Sequence, residues 1–324
     1  MSEVENNSEK RLVYFEKFAH PVTVDVLARD PSITVQRLEL SSSDAENWQA
    51  LSGAHGYQIR ATRDELPDQF FAHGEFLQRC PNMLVVSSMG SGTDTIDLAD
   101  CTKAGVLVVN QAGGNAEAVA EHALALMLSL SKRVGETDQF MRAQDGIDRT
   151  SFMGHNIQGK TLGIIGLGHV GRRVAELCGT LFSMRVLAYD PYLEDSVFEA
   201  RGAIKSSWGD LLSAADFITV HCPRTAETED FLNADSFALM KPGAIFINTA
   251  RGGIHDEAAL FAALDSGHLA AAGLDVWAVE PPAADHPLLR LSNVLASPHT
   301  AGVTYESRHK MGTYAGEQLL EIFA

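Results

Sequence analysis

Residues 160–176 read KTLGIIGLGHVGRRVAE, and this stretch decides the fold. The apolar run Leu162–Ile165 has the length and composition of a buried strand. Gly166, Gly168 and Gly171 follow in G-x-G-x-x-G spacing, and a helix-forming run starts at Val170. Each glycine has its own task. Gly166 permits a tight strand-to-helix turn, Gly168 keeps a side chain out of the turn's mouth, and Gly171 lets helix and strand approach closely. The helix start then offers unpaired N–H groups and a positive dipole end to an anion. The next apolar run, Met184–Tyr189, ends at Asp190, about 20 residues past the glycines, where a carboxylate accepts hydrogen bonds from ribose hydroxyls.

That order predicts a dinucleotide site. A carboxylate at 190 repels a 2′-phosphate, and no Arg or Lys follows in Asp190-Pro191-Tyr192, so NAD is expected over NADP. Downstream, strands are expected at Phe217–His221, Ala244–Asn248, Ala270–Val276 and Val294–Ala296, with helices at Trp208–Ala214 and Asp256–Leu264 between them. Upstream the same alternation runs through strands Leu12–Phe15, Ile33–Leu40, Tyr57–Ala61, Met83–Ser87 and Val106–Val109. Helices Pro21–Ala28, Asp44–Leu51, Leu66–Arg79 and Ile96–Ala104 separate them. Such a rhythm predicts parallel sheets covered by helices. A Gly-Gly break precedes one long amphipathic helix from Glu117 to Gln144, which reads as a domain crossover, and a final helix runs from Glu306 to Phe323.

A chain of 324 residues exceeds one ordinary core and fits two domains. The net charge of −17 disfavours nucleic acid and anionic membranes as partners. No apolar run is long enough to span a bilayer. The start MSEVENNSEKR lacks the apolar core of a signal peptide, and the absence of a disulfide pattern fits a cytoplasmic address. Cys80, Cys101, Cys178 and Cys222 form no CxxC pair; they read as free thiols, and no metal site is expected.

Three polar residues stand at or just after expected strands of the second domain: Arg251, Glu280 and His299. In an open α/β sheet, ligands bind outside the carboxyl ends of strands. Hydride transfer to or from a 2-hydroxy acid needs a proton carrier, a carboxylate clamp and stabilisation of a developing oxyanion. Histidine suits the first task, and a carboxylate beside an imidazole favours its charged form and fixes its tautomer. Arginine supplies a planar, permanently charged fork for the others.

With these residues in place, the chain resembles the D-isomer-specific 2-hydroxyacid dehydrogenases, notably the phosphoglycerate dehydrogenase branch. The motifs are SMGSGTDTID, NQAGGNAEAVAEHALALML, GKTLGIIGLGHVG, the HCP of residues 221–223, MKPGAIFINTARGG, AGLDVWAVEPP and SPHTAG. The resemblance implies two Rossmann-like α/β domains with an interdomain cleft: a doubly wound NAD-binding sheet over 115–303, and a flavodoxin-like substrate domain over 1–114 and 304–324. It implies His299 as acid/base, Glu280 as its partner and Arg251 as the substrate-orienting cation. Cofactor contacts are implied at Ser91, His169, Val170, Asp190, Cys222, Thr249, Ala250, Asp275, Thr300, Ala301 and Gly302, besides the three glycines.

The loop Met89-Gly90-Ser91-Gly92 matches a stretch whose N–H groups hold the substrate carboxylate, together with Arg251 and His299. Arg60 matches an anion-binding position of the phosphoglycerate-type members, whereas Ser88 departs from their pattern, so the 2-oxo or 2-hydroxy acid carries a phosphate or lacks one. A homodimer through the 117–144 helix is a further implication. The alternatives are a glyoxylate or hydroxypyruvate reductase on the same frame and, from another class, an NAD-sensing corepressor-like binding protein. A formate dehydrogenase fits less well, because that branch has an amide where Glu280 stands.

Overall fold

The computed structural model describes residues 9–146 and 148–324. Residues 1–8, most of the polar N-terminal stretch discussed above, lie outside the described residues.

Strands β1 (Lys10–Phe15), β2 (Ile33–Leu38), β3 (Gly56–Arg60), β4 (Val85–Met89) and β5 (Leu107–Val109) alternate with helices α1 (Val22–Leu27), α2 (Asp44–Ser52), α3 (Gly74–Arg79) and α4 (Leu98–Ala104). Helices α5 (Ala116–Ser131) and α6 (Val134–Ala143) follow. Next come β6 (Thr161–Ile165), α7 (His169–Phe182), β7 (Arg185–Tyr189), α8 (Asp195–Ala200), β8 (Ile204–Lys205), α9 (Trp208–Ala214) and β9 (Phe217–Val220). The chain ends with α10 (Ala234–Leu239), β10 (Ile245–Asn248), α11 (Glu257–Asp265), β11 (Ala271–Leu274), β12 (Val294–Ala296) and α12 (Tyr305–Phe323).

These elements form two compact units. The first takes the chain up to Asn115 together with Val303–Ala324; the second is Ala116–Gly302. In the first, five parallel strands lie in the order β2-β1-β3-β4-β5. Side chains alternate across it. Val13, Phe15, Tyr57 and Ile59 join one core, while Leu12 and Val85 join the other with Leu319 and Phe323 of α12. The returning α12 crosses α1 closely because Gly312 and Gly316 face Val22, Thr23 and Val26, leaving no room for a Cβ without displacement.

In the second unit seven parallel strands lie in the order β12-β11-β10-β9-β6-β7-β8. Both faces are buried. Leu162, Ile164, Ile245 and Ile247 pack on one side, and Ile165, Ile218, Val220 and Phe246 on the other. That two-sided burial is why the strands read as unbroken apolar runs. Strand order reverses between β6 and β9, so the crevice outside their carboxyl ends is the expected ligand position.

Two expected helices differ. The run Leu66–Arg79 is helical only from Gly74; before it lie two short 3-10 turns, Arg63–Glu65 and Asp68–Phe70. Pro67 keeps Leu66 extended, and Ala72 bridges Ile96. Phe70, Phe76 and Leu77 still bury, which produced the helical-looking period. The stretch Glu117–Gln144 is two helices, broken at Arg133, whose φ is 56°. Its guanidinium holds that turn by bonds to Glu136 at 2.6 and 2.5 Å and to the Ser151 carbonyl at 2.8 Å. Helices α8 and α10 and the short β8 were not anticipated. Among the described residues no helix is long and apolar enough to cross a membrane, and no group of three His, Cys, Asp or Glu is placed to hold a metal. Cys80, Cys101 and Cys178 are buried free thiols; Cys222 is half-buried.

Candidate active site

The glycine turn after β6 distributes its three tasks as the sequence suggests. Gly166 has φ +89°, and a Cβ there would stand 2.8 Å from the Cys222 nitrogen. A Cβ on Gly171 would lie 2.1 Å from the Gly166 carbonyl oxygen. Gly168 has nothing within 4 Å of its Cβ position, so open space lies in front of the turn. Gly168 is also the N-cap of α7 and offers no capping side chain, leaving the first N–H groups of a fourteen-residue helix to an outside acceptor. His169 is exposed and Val170 half-buried on the first turn.

Asp190, after β7, accepts from the Leu167 N–H at 2.9 Å and the Tyr192 N–H at 3.1 Å, so the carboxylate is held against the glycine turn. Two orphaned polar atoms lie at the ends of neighbouring strands. His221 Nδ1, after β9, and Thr249 Oγ1, after β10, are out of water without a partner among the described residues. The other His221 nitrogen meets Thr219 Oγ1 at 2.9 Å, and burial holds the ring neutral, with its pKa pushed down to about 3. Burial pushes the Cys222 thiol up to about 11, so it is not a thiolate. An open anion turn, a ribose-height carboxylate and unpaired polar atoms beside them fit a dinucleotide.

Past β11 and β12 the polar residues converge. His299 Nδ1 lies 2.7 Å from Glu280 Oε2, and the other Glu280 oxygen accepts the Trp277 N–H at 3.0 Å. A carboxylate only accepts, so the imidazole carries a proton on Nδ1, and Nε2 has no hydrogen-bond partner among the described residues. Burial alone raises the Glu280 carboxyl, yet the hydrogen bond and charge of His299, the Trp277 N–H and the Arg251 charge together leave it below the usual carboxylate range. Arg251 therefore lies within electrostatic reach of the pair; its guanidinium donates to the Ala250 carbonyl at 2.7 Å.

The Arg251 turn and the Glu280 loop are pressed together. A Cβ on Gly252 would sit 1.7 Å from the Trp277 carbonyl oxygen. Glu257, at the start of α11, reinforces the loop by accepting the Ala278 N–H at 2.8 Å.

His299 has φ 55°, a left-handed conformation that is unfavourable for a residue with a Cβ. Asp275 holds it there. The fully buried Asp275 accepts from the Thr300 and Ala301 N–H groups, both at 2.8 Å, and its own carbonyl accepts the His299 N–H at 2.7 Å. Ser297 Oγ gives its only proton to Asp275 at 2.6 Å, so it must accept from His122 Nε2 at 3.0 Å. Asp275, expected beside the cofactor, thus spends both oxygens on the Ser297–Ala301 loop. His122 and Ser297 were missed; the one signal was a histidine interrupting the long apolar helix α5.

In the first unit the loop after β4 also shows a division of labour. The Gly90 N–H donates to Gln111 Oε1 at 2.8 Å, while the Gly90 carbonyl accepts the Gln111 N–H at 2.9 Å. Ser88 Oγ bonds the Gly92 carbonyl, and Ser91 Oγ meets Asn115 at 3.1 Å. Among the described residues, the N–H groups of Ser91 and Gly92 have no acceptor. Of the expected donors, Gly90 is therefore spent and Ser91 and Gly92 remain. Arg60 is not an open cation: its guanidinium pairs with Glu65 at 2.6 Å and also meets Met89 Sδ and the Lys17 carbonyl, both at 3.4 Å. Thr62 Oγ1 holds the second Glu65 oxygen at 3.0 Å.

Comparison with known proteins adds independent findings. The family model described as "D-isomer specific 2-hydroxyacid dehydrogenase, NAD binding domain" matches residues 124–301. A D-3-phosphoglycerate dehydrogenase of Archaeoglobus fulgidus is 42% identical over 248 residues, covering 76% of this chain and 47% of the relative. The chain thus spans about half the length of the D-3-phosphoglycerate dehydrogenases it matches. A glyoxylate reductase of Aeropyrum pernix is 38% identical over 252 residues, covering 76% of this chain and 75% of the relative. Among solved structures, D-lactate dehydrogenase from Aquifex aeolicus complexed with NAD and lactic acid superposes with a TM-score of 0.80 and 27% identity, over 95% of this chain and 94% of that one.

Proposed function

Since the chain belongs to the D-isomer specific 2-hydroxyacid dehydrogenases, we propose that it is an NAD-dependent dehydrogenase interconverting a 2-hydroxy acid and its 2-oxo acid. The observation that carries this reading is the His299–Glu280 pair at 2.7 Å, with Nε2 unbonded among the described residues. When bound, NAD(H) supplies or takes up the hydride at the substrate's second carbon. The residues do the rest. In the oxidising direction neutral His299 accepts the hydroxyl proton on Nε2, and Glu280 stabilises the resulting imidazolium through Nδ1. In the reducing direction the same imidazolium returns the proton to the oxo oxygen. Arg251 orients the substrate's oxygens and offsets the developing negative charge. Ser91 and Gly92 donate to the carboxylate. The uncapped start of α7 takes the pyrophosphate, and Asp190 the ribose.

The frame leaves two substrate readings. Similarity to the phosphoglycerate dehydrogenases favours a phosphorylated acid. The Arg60–Glu65 pair, with Glu65 also held by Thr62, favours a small unphosphorylated one such as glyoxylate or hydroxypyruvate, because a phosphate would have to displace a carboxylate already in place. A homodimer is supported by α6, which buries none of its residues and exposes Val134 and Met141 beside exposed Met153. A cavity of about 400 Å³ opens there, lined by Leu130, Arg133, Glu136, Met153, His155 and Leu295. The testing experiment is turnover with 3-phosphohydroxypyruvate, hydroxypyruvate, glyoxylate and larger 2-oxo acids, with NADH and NADPH. NADH oxidation by at least one acid is expected. NADH binding without turnover of any acid overturns the enzyme in favour of an NAD-responsive binding protein.

A further inference from the structure

We infer that His255 is a positioning residue for Arg251, acting through the side-chain amide of Asn248. The inference rests on the dehydrogenase reading, since it assumes that Arg251 orients the substrate.

Asn248 closes β10 and is fully buried. Its Oδ1 accepts the Ala250 N–H at 2.9 Å. Its Nδ2 donates to the Arg251 carbonyl at 3.0 Å and to His255 Nδ1 at 3.0 Å. The amide therefore grips the Ala250–Arg251 turn at two backbone points. Its orientation is forced, because a flipped amide would set oxygen against the Arg251 carbonyl and NH₂ against the Ala250 N–H. His255 Nδ1 must then be the acceptor, which puts the imidazole proton on Nε2.

That proton has nowhere to go. His255 is 1% exposed, and Nε2 has no partner among the described residues. Phe246 packs on the ring with centroids 5.5 Å apart. A histidine serving only as filler has no reason to carry an orphaned buried donor, which is costly. The arrangement makes sense if the lone pair on Nδ1 is what the site needs. Without it one Asn248 proton is left unpaired, and the amide can turn away from Arg251. Burial keeps the ring neutral, with the pKa pushed down to about 4, so the lone pair persists at ordinary pH.

The test compares wild type with His255→Leu and His255→Asn. Asparagine offers an oxygen where Nδ1 stood; leucine fills the volume without an acceptor. Steady-state kinetics use the best 2-oxo acid of the panel, with NADH affinity measured by fluorescence titration. His255→Leu is expected to raise KM for the acid about tenfold, with kcat and NADH affinity changed less than about threefold, and His255→Asn to restore most of the loss. An unchanged KM in His255→Leu overturns the inference, as does equal impairment of both variants with loss of NADH affinity. Should the leucine protein fail to fold, ¹⁵N-histidine NMR of the wild type decides. A neutral ring with its proton on Nε2 at pH 7 supports the inference, and a proton on Nδ1 overturns it. Absence of turnover in the wild type would defeat the dehydrogenase reading alone, because the NMR result still reports the imidazole's orientation.

Discussion

The two parallel sheets use their carboxyl ends differently. After β10, β11 and β12, polar atoms are committed to one another: Asp275 to Thr300, Ala301 and Ser297, Glu280 to His299 and Trp277, Asn248 to Ala250 and Arg251. After β4, the loop is braced by Gln111 and Ser88, yet among the described residues two consecutive N–H groups are left without acceptors. The lesson is about preorganisation. On the proposed reading His299 is a proton carrier that is aimed before substrate arrives, so its neighbours spend their hydrogen bonds on it. On the same reading the loop after β4 is a carboxylate cradle that keeps its donors unspent, so bracing is confined to the atoms beside them.

The harshest way to break this contrast is His299→Ala. It should lower kcat by roughly 10²–10⁴-fold while NADH affinity stays within about twofold. Comparable loss of cofactor binding, read by titration calorimetry, would make His299 part of the scaffold. Next comes a pair of glycines on one turn. Gly168→Val should weaken NADH binding by about 10–100-fold with Tm unchanged, because the new side chain enters space reserved for the pyrophosphate. Gly171→Ala should instead cost about 1–3 kcal/mol of stability, because its Cβ collides with the Gly166 carbonyl. If both variants lose stability alike, the opening before Gly168 is not a binding space.

Acid probes the committed side. His221 and His255 have folded pKa values of about 3 and about 4, below the usual histidine value of 6.5. The unfolded chain therefore binds more protons between those values and 6.5. Stability is complete above that range and falls as pH drops through it, by up to roughly 1.4 kcal/mol per pH unit for each group. Melting curves from pH 4 to 7 should show this slope, and it should shrink in His255→Asn; an identical slope would remove His255 from the account. The smallest effect belongs to the cradle. Gln111→Ala should raise KM for the 2-oxo acid by about fivefold at constant kcat, the worth of one hydrogen bond.

Legibility in the sequence followed the same division. The turn at Gly166–Gly171 and the strand ends at Arg251, Glu280 and His299 could be read because periodicity and local spacing mark them. What stayed hidden depends on contacts between distant residues. Nothing near Asp275 announces that it would hold the 299–301 backbone, and His122 reaches Ser297 across 175 positions. The hold of Glu65 on Arg60 could not be inferred either, although five residues separate them, because an irregular turn brings them together. The Leu66–Arg79 stretch misled for the opposite reason: its buried aromatics imitate a helix, yet Phe71 and His73 are extended and Ala72 bridges Ile96, so the helix starts only at Gly74.

The absent side chain at position 252 has a practical corollary. With 1.7 Å between a hypothetical Cβ and the Trp277 oxygen, the arginine turn and the glutamate loop behave as one machine part with a shared tolerance. A randomised library aimed at substrate scope should leave that part alone, because a substitution in either half shifts the other.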